Sequence, residues 1–149
     1  MSTDENSHLL VFTDGGSRGN PGPAGVGVVL KMGNWELLHG RCIGNTTNNV
    51  AEYTALIDAL RLIDHSNKND GVTPSQISFR LDSELVVKQV RGEYKVKDAG
   101  LQVLHRQVHE MLSGLDIPYT FTHIRRCFNK EADALVNDAL DGNSKINNV

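Results

Sequence analysis

Between Leu9 and Ile63 the apolar residues change their repeat from strand-like to helical, and that switch limits the fold more than any other feature. Leu9-Leu10-Val11-Phe12-Thr13 is a nearly continuous apolar run, which suits a strand buried on both faces. It stops at Asp14-Gly15-Gly16, and Gly19-Asn20-Pro21-Gly22-Pro23 is a dense turn signal. Residues 25–30 predict a second strand, Met32-Gly33-Asn34 a hairpin turn, and residues 35–43 a returning third strand. From residue 50 the period changes. Tyr53, Leu56, Ile57, Leu60 and Ile63 fall at helical spacing, which predicts an amphipathic helix over 50–63.

The rest alternates between the two periods. Residues 77–81 read as a strand that ends on Asp82, followed by a short helix over 83–90 broken at Gly92. A helix over 99–112, a strand over 119–124 and a helix over 129–140 complete the order βββαβααβα. An antiparallel meander followed by helix-linked strands makes an α/β fold, a mixed sheet with helices packed on it. A dinucleotide-binding fingerprint is excluded, because here the glycine-rich stretch runs into a strand, whereas that fingerprint opens a helix. One domain over 8–141 is expected, with flexible polar ends at 1–7 and 142–149. Cys42 and Cys127 lie outside any metal or redox spacing and predict buried or half-buried thiols in a reducing compartment. The polar, acidic start is the wrong chemistry for a signal peptide, and no apolar run approaches the ~20 residues of a membrane span. A cytoplasmic monomer with no membrane partner is expected.

Four acidic residues sit where strands end or helices begin. Singly, each has a structural explanation. Asp14 suits a turn, Glu52 a capping box with Asn49, Asp82 a helix cap, and Asp133 a helix N-terminus. Together they point elsewhere. Asp14 and Asp82 both close apolar strands, and strand C-terminal ends are where α/β sheets build sites. Glu52 is one turn before Leu56, and Asp133 flanks inward-facing Ala132 and Leu135. Carboxylates gathered at a sheet edge repel one another without a cation, and hard oxygen ligands suit Mg²⁺ or Mn²⁺.

These segments resemble the type 1 ribonuclease H family. The run from Phe12-Thr13-Asp14-Gly15-Gly16 to Pro23-Ala24-Gly25 is similar to its first motif and Thr46-Thr47-Asn48-Asn49-Val50-Ala51-Glu52 to its second. Leu81-Asp82-Ser83 is similar to the third and Asn129-Lys130-Glu131-Ala132-Asp133 to the fourth. The likeness spans roughly residues 8–140. It implies the ribonuclease H-like fold, a five-stranded mixed sheet flanked by helices. It implies an endoribonuclease that cuts the RNA strand of RNA–DNA hybrids by two-metal-ion catalysis, leaving a 5′-phosphate and a 3′-hydroxyl. Asp14, Glu52, Asp82 and Asp133 would be the catalytic and metal-holding quartet for two Mg²⁺ ions, with Mn²⁺ as substitute. Asp14 would bridge the ions, Asp133 would serve the ion at the attacking water, and Glu52 and Asp82 the ion at the leaving oxygen. Gly15, Asn20, Asn48, Asn49 and Glu52 would line the hybrid's minor groove, where 2′-hydroxyls mark the RNA strand. Thr47 would contact DNA phosphate.

Two family features differ. The basic insertion of the best-known bacterial members is reduced to residues 91–97, as in shorter members, several of them archaeal. With 15 basic against 18 acidic residues and a net charge of −3, affinity must rest on a few cations, Lys95 and Lys97 among them. The loop before the last helix is also short. Many members carry there a histidine that assists product departure. Here His123 falls in the strand before the loop, and the resemblance to similar short forms implies that Arg125 or Arg126 would lean on a phosphate instead. His105 and His109, four apart without an acidic partner, read as an exposed helix face rather than a metal site. Double-stranded RNA is left open as a second partner, and a catalytically silent nucleic-acid-binding module is the rival reading. That rival predicts a lost carboxylate, and none is lost.

Overall fold

The computed structural model describes residues 7–147. Residues 1–6 and 148–149, parts of the two expected flexible ends, lie outside the described residues. Strands β1 (His8–Ser17), β2 (Gly22–Met32) and β3 (Trp35–Thr46) form the antiparallel meander, and β4 (Gln76–Leu81) and β5 (Tyr119–His123) join it in parallel. The five strands make one mixed sheet in the order β3-β2-β1-β4-β5. Helices α1 (Asn48–Asn69), α2 (Glu84–Val90), α3 (Ala99–Ser113) and α4 (Lys130–Leu140) complete the anticipated element order.

The apolar periods explain the packing. Odd-numbered Leu9 and Val11 of β1 join Leu56, Leu60 and Ile63 of α1, Ile77 and Phe79 of β4, and Val108 and Leu112 of α3 in the main core. Each such side chain stabilises by about 1.5–3 kcal/mol when fully buried. The other face of the sheet carries α4, whose Ala132 and Leu135 pack on Val29 with Phe12 and Leu38 alongside.

The elements run longer than the apolar pattern. β1 continues through Asp14 to Ser17, with Asp14 opposite Gly27 and Gly16 opposite Gly25. Backbone pairing carries the strand past the end of its apolar run. α1 starts at Asn48 and runs to Asn69, and its polar last turns gave no periodicity to read. Its N-cap is Thr47, whose hydroxyl accepts from the Val50 amide at 3.3 Å, so the capping box read on Asn49 is not the one used. At the other end Gly71, at φ 67°, turns the chain out of the helix.

Residues 143–147, taken as flexible from their composition, run back along β3. Gly40 and Lys145 exchange backbone hydrogen bonds of 2.7 and 2.9 Å, and the Asn147 side chain donates to the Leu38 carbonyl at 2.7 Å. Both cysteines are free and exposed rather than buried, because Cys42 lies on edge strand β3 and Cys127 in a surface 3₁₀ turn over Arg126–Phe128. Beneath the edge of β3, His39 and Arg41 both donate to Asp58 of α1, at 2.9 Å and at 2.7 and 2.9 Å, and the carboxylate is buried. No helix among the described residues is long and apolar enough to cross a membrane.

Candidate active site

Asp14 alternates with Phe12 onto the α4 face of β1 and is only 7% exposed. Gly15, the next residue, faces α1, and a Cβ there would overlap the Ala51 backbone. Glycine therefore lets the first turn of α1 press against the strand, which carries Glu52 toward Asp14. The Gly15 amide donates to the Glu52 carboxylate. On the opposite face Gly27 does the same for α4, since a Cβ at Gly27 would run into the Ala132 carbonyl. That close approach places Asp133, in the first turn of α4, within hydrogen-bonding reach of Asp14. Asp82 follows β4 directly, while Ser83 caps α2 by accepting from the Val86 amide at 3.2 Å.

One oxygen from each of Asp14, Glu52 and Asp82 lies within 4.8 Å of the other two. The electrostatic consequence is large. Burial, then the charges of Asp82 and Asp133, push Asp14 up to about 8, partly opposed by Arg126. Burial, then the charges of Asp14 and Asp82, hold Glu52 well above the usual carboxylate range, against the pull of the Gly15 amide. Glu52 Oε2 is buried and accepts no hydrogen bond from the described residues. An orphaned carboxylate oxygen beside two more carboxylates is the donor set of a hard divalent cation.

The cluster opens into a cleft of about 490 Å³ whose walls include Gly15, Ser17, Arg18, Asn48, Asn49, Arg126 and Asn137. Asn48 Oδ1 accepts from both the amide and the hydroxyl of Ser17, at 2.9 and 3.1 Å, and the Asn48 amide donates to Asn20 Oδ1 at 3.0 Å. These bonds tie the start of α1 to the β1–β2 turn. They occupy the amide oxygens and leave both NH₂ groups without a protein acceptor among the described residues.

The structure thus brings together the four carboxylates, Gly15, Asn48, Asn49 and Arg126. Asn20 and Thr47 adjoin the lining, Asn20 by accepting from the Asn48 amide and Thr47 as the N-cap of α1. Arg125, Lys95 and Lys97 are exposed but do not line the cleft. His123 is also outside it, with Nδ1 3.9 Å from Glu84. His105 and His109 are half-buried rather than exposed; their Nε2 atoms lie 3.2 Å apart, and that of His105 is 3.0 Å from the Gln89 carbonyl. Sequence reasoning missed Arg18, Asn137 and Asn129 at the site. Asn137 was readable, since it stands one helical turn after Asp133 and its NH₂ donates to the Asp133 carbonyl at 3.1 Å. Arg18 carried no such signal.

The family described as "Reverse transcriptase-like" matches residues 12–139. Ribonuclease HI of Halobacterium salinarum is 41% identical over 143 residues, covering 95% of this chain and 68% of that protein. A bifunctional protein of Mycobacterium tuberculosis is 38% identical over 89% of this chain, which spans only 35% of it. Among solved structures, RNase H1 of the same Halobacterium superposes with a TM-score of 0.81, covering 91% of this chain and 98% of that one. LC11-RNase H1 in complex with an RNA/DNA hybrid superposes with a TM-score of 0.80 at 42% identity, covering 90% and 97%.

Proposed function

The chain belongs to the type 1 ribonuclease H family, and we propose that it hydrolyses the RNA strand of RNA–DNA hybrids at the cleft built around Asp14. The observation that carries this is the meeting of three carboxylate oxygens within 4.8 Å at the floor of an amide-lined cleft. Asp14, Glu52, Asp82 and Asp133 would hold the divalent ions, with Mg²⁺ as the proposed metal and Mn²⁺ as its substitute. When bound, such ions supply a water nucleophile at neutral pH and offset charge on both the attacking and leaving oxygens of an in-line displacement.

The protein groups have separate tasks. Asp14 is central, facing Asp82, Glu52 and Asp133 at once. The NH₂ groups of Asn20, Asn48 and Asn49 and the backbone near Gly15 are set to meet 2′-hydroxyls and base edges across a minor groove. Arg126 offers the guanidinium nearest the carboxylates and would pair with a phosphate oxygen there. Water adds to phosphorus as the P–O3′ bond breaks, and the leaving oxygen takes a proton to become the 3′-hydroxyl. Lys95, Lys97 and Arg125 would contact flanking phosphates, and Thr47 a phosphate of the DNA strand. The free thiols suit the cytoplasmic compartment we assign, and we propose a monomer.

Labelled RNA–DNA hybrid, double-stranded RNA and double-stranded DNA, each with Mg²⁺ or EDTA, test this. Cleavage of the hybrid's RNA strand with Mg²⁺ alone is expected. Equal cutting of duplex DNA, or cutting in EDTA, would overturn it.

A further inference from the structure

Asn129 is the N-cap residue of α4, yet its side chain makes no capping hydrogen bond. It is 1% exposed and turned inward instead. Its NH₂ donates to the Thr13 carbonyl at 2.8 Å and to Asp82 Oδ2 at 3.2 Å. Its backbone carbonyl accepts from the Asp133 amide at 3.1 Å. Thr13 immediately precedes Asp14. One residue therefore touches the backbone leading into one carboxylate, the side chain of a second and the backbone of a third.

The chemistry fixes which way the amide points. A peptide carbonyl and a carboxylate only accept, so the NH₂ end must face them. Oδ1 is left buried with no donor among the described residues. A side chain that forgoes its cap and leaves its oxygen unpaired is held for its NH₂ alone.

We propose that Asn129 is a positioning residue for the carboxylate cluster. It pins Asp82 and the start of α4 in register with Asp14, so that mutually repelling oxygens keep their spacing before a cation arrives. This rests on the metal-assisted reading above, which makes that spacing matter.

Two variants separate positioning from stability. Asn129→Ala removes both donors. Asn129→Ser supplies a hydroxyl able to cap α4 but too short to reach Asp82. The readouts are Mn²⁺ affinity of the substrate-free protein by isothermal titration, kcat and KM on hybrid, and melting temperature in EDTA. Both variants should bind Mn²⁺ about 10-fold or more weakly and lose kcat by about 10- to 100-fold, with KM for hybrid within about twofold of wild type. The serine variant should melt close to wild type. Wild-type Mn²⁺ affinity in the serine variant would overturn the proposal, as would full kcat in either variant well below its melting temperature. If wild type fails to cut hybrid, the functional reading fails, while the Mn²⁺ titration still decides the role of Asn129.

Discussion

The Gly15 amide donates to the Glu52 carboxylate across a gap that only a residue without Cβ allows. Strand and helix are locked together where two carboxylates repel, so a methyl group there has two effects. Gly15→Ala should force α1 off β1, costing roughly 1–3 kcal/mol as overpacking does. It should also spread Asp14 and Glu52. Urea denaturation measures the first effect and hybrid turnover the second, and retained turnover with wild-type stability would contradict the close fit.

Asp14→Asn removes the charge that faces the other three carboxylates. Hybrid cleavage in Mg²⁺ should fall by several orders of magnitude, and Glu52→Gln and Asp82→Asn should behave similarly. Near wild-type turnover in the Asp14 variant would refute the assignment.

In EDTA the same charge is a liability. Asp14 titrates at about 8 in the folded protein against an ordinary value of 3.8, so the folded state binds the extra proton between them. That contribution to stability is complete below about 4 and is lost as pH rises to about 8. Glu52 shifts in the same direction. The melting temperature of metal-free wild type should therefore drop across this window, apart from other titrating groups. The Asp14→Asn variant should flatten the drop and melt higher at pH 8. A wild-type curve that rises through the window in parallel with the variant would contradict the shift.

Asp58 works with the opposite sign. Burial pushes it up, but the hydrogen bonds from His39 and Arg41 outweigh burial and leave it below the ordinary range. Its stabilisation is present above the unfolded carboxylate value and is lost as pH falls through the lowered one. Asp58→Ala should cost about 3 kcal/mol at neutral pH, the low end for a broken buried pair, because Arg41 is one-third exposed. Chemical denaturation reads this, and turnover below the new melting temperature should be unaffected.

Charge sets the last expectation. At net −3, with Lys95 and Lys97 exposed outside the cleft, hybrid binding should rest on few phosphate contacts. Each neutralised phosphate contributes about −0.9 to the logarithmic salt slope on duplex DNA. Replacing both lysines with alanine should raise KM and flatten that slope, with kcat little changed. An unaltered slope in a salt series would move the contacts to Arg125 and Arg126.

The element order and the placement of the four carboxylates at element ends were legible because apolar period and acidic placement are local properties of the chain. The order of strands in the sheet, by contrast, comes from pairing between distant segments. Asp14 was found for its position after an apolar run, although β1 does not end there; pairing with Gly25 and Gly27 continues it, and pairing is not local. Thr47 was read for substrate, and its role as a helix cap went unread because one hydroxyl suits either task. Asn129 stood in a recognised motif with no role visible, because its partners Thr13 and Asp82 are 116 and 47 residues away. Arg126 and Arg125 are adjacent in sequence, and only the backbone turn between β5 and α4 sends one of them into the cleft.

The bridge between Gly40 and Lys145 also bears on how this molecule behaves in a crowd. An outer strand presents a row of unpaired donors and acceptors that another chain can extend into a shared sheet. At β3, twelve residues long, the returning segment already occupies that row at Gly40 and covers the Leu38 carbonyl. At the opposite margin β5 is five residues long, and Thr120 and Thr122 put hydroxyls outside. Both margins are thus blunted against strand addition, one by occupation and one by brevity.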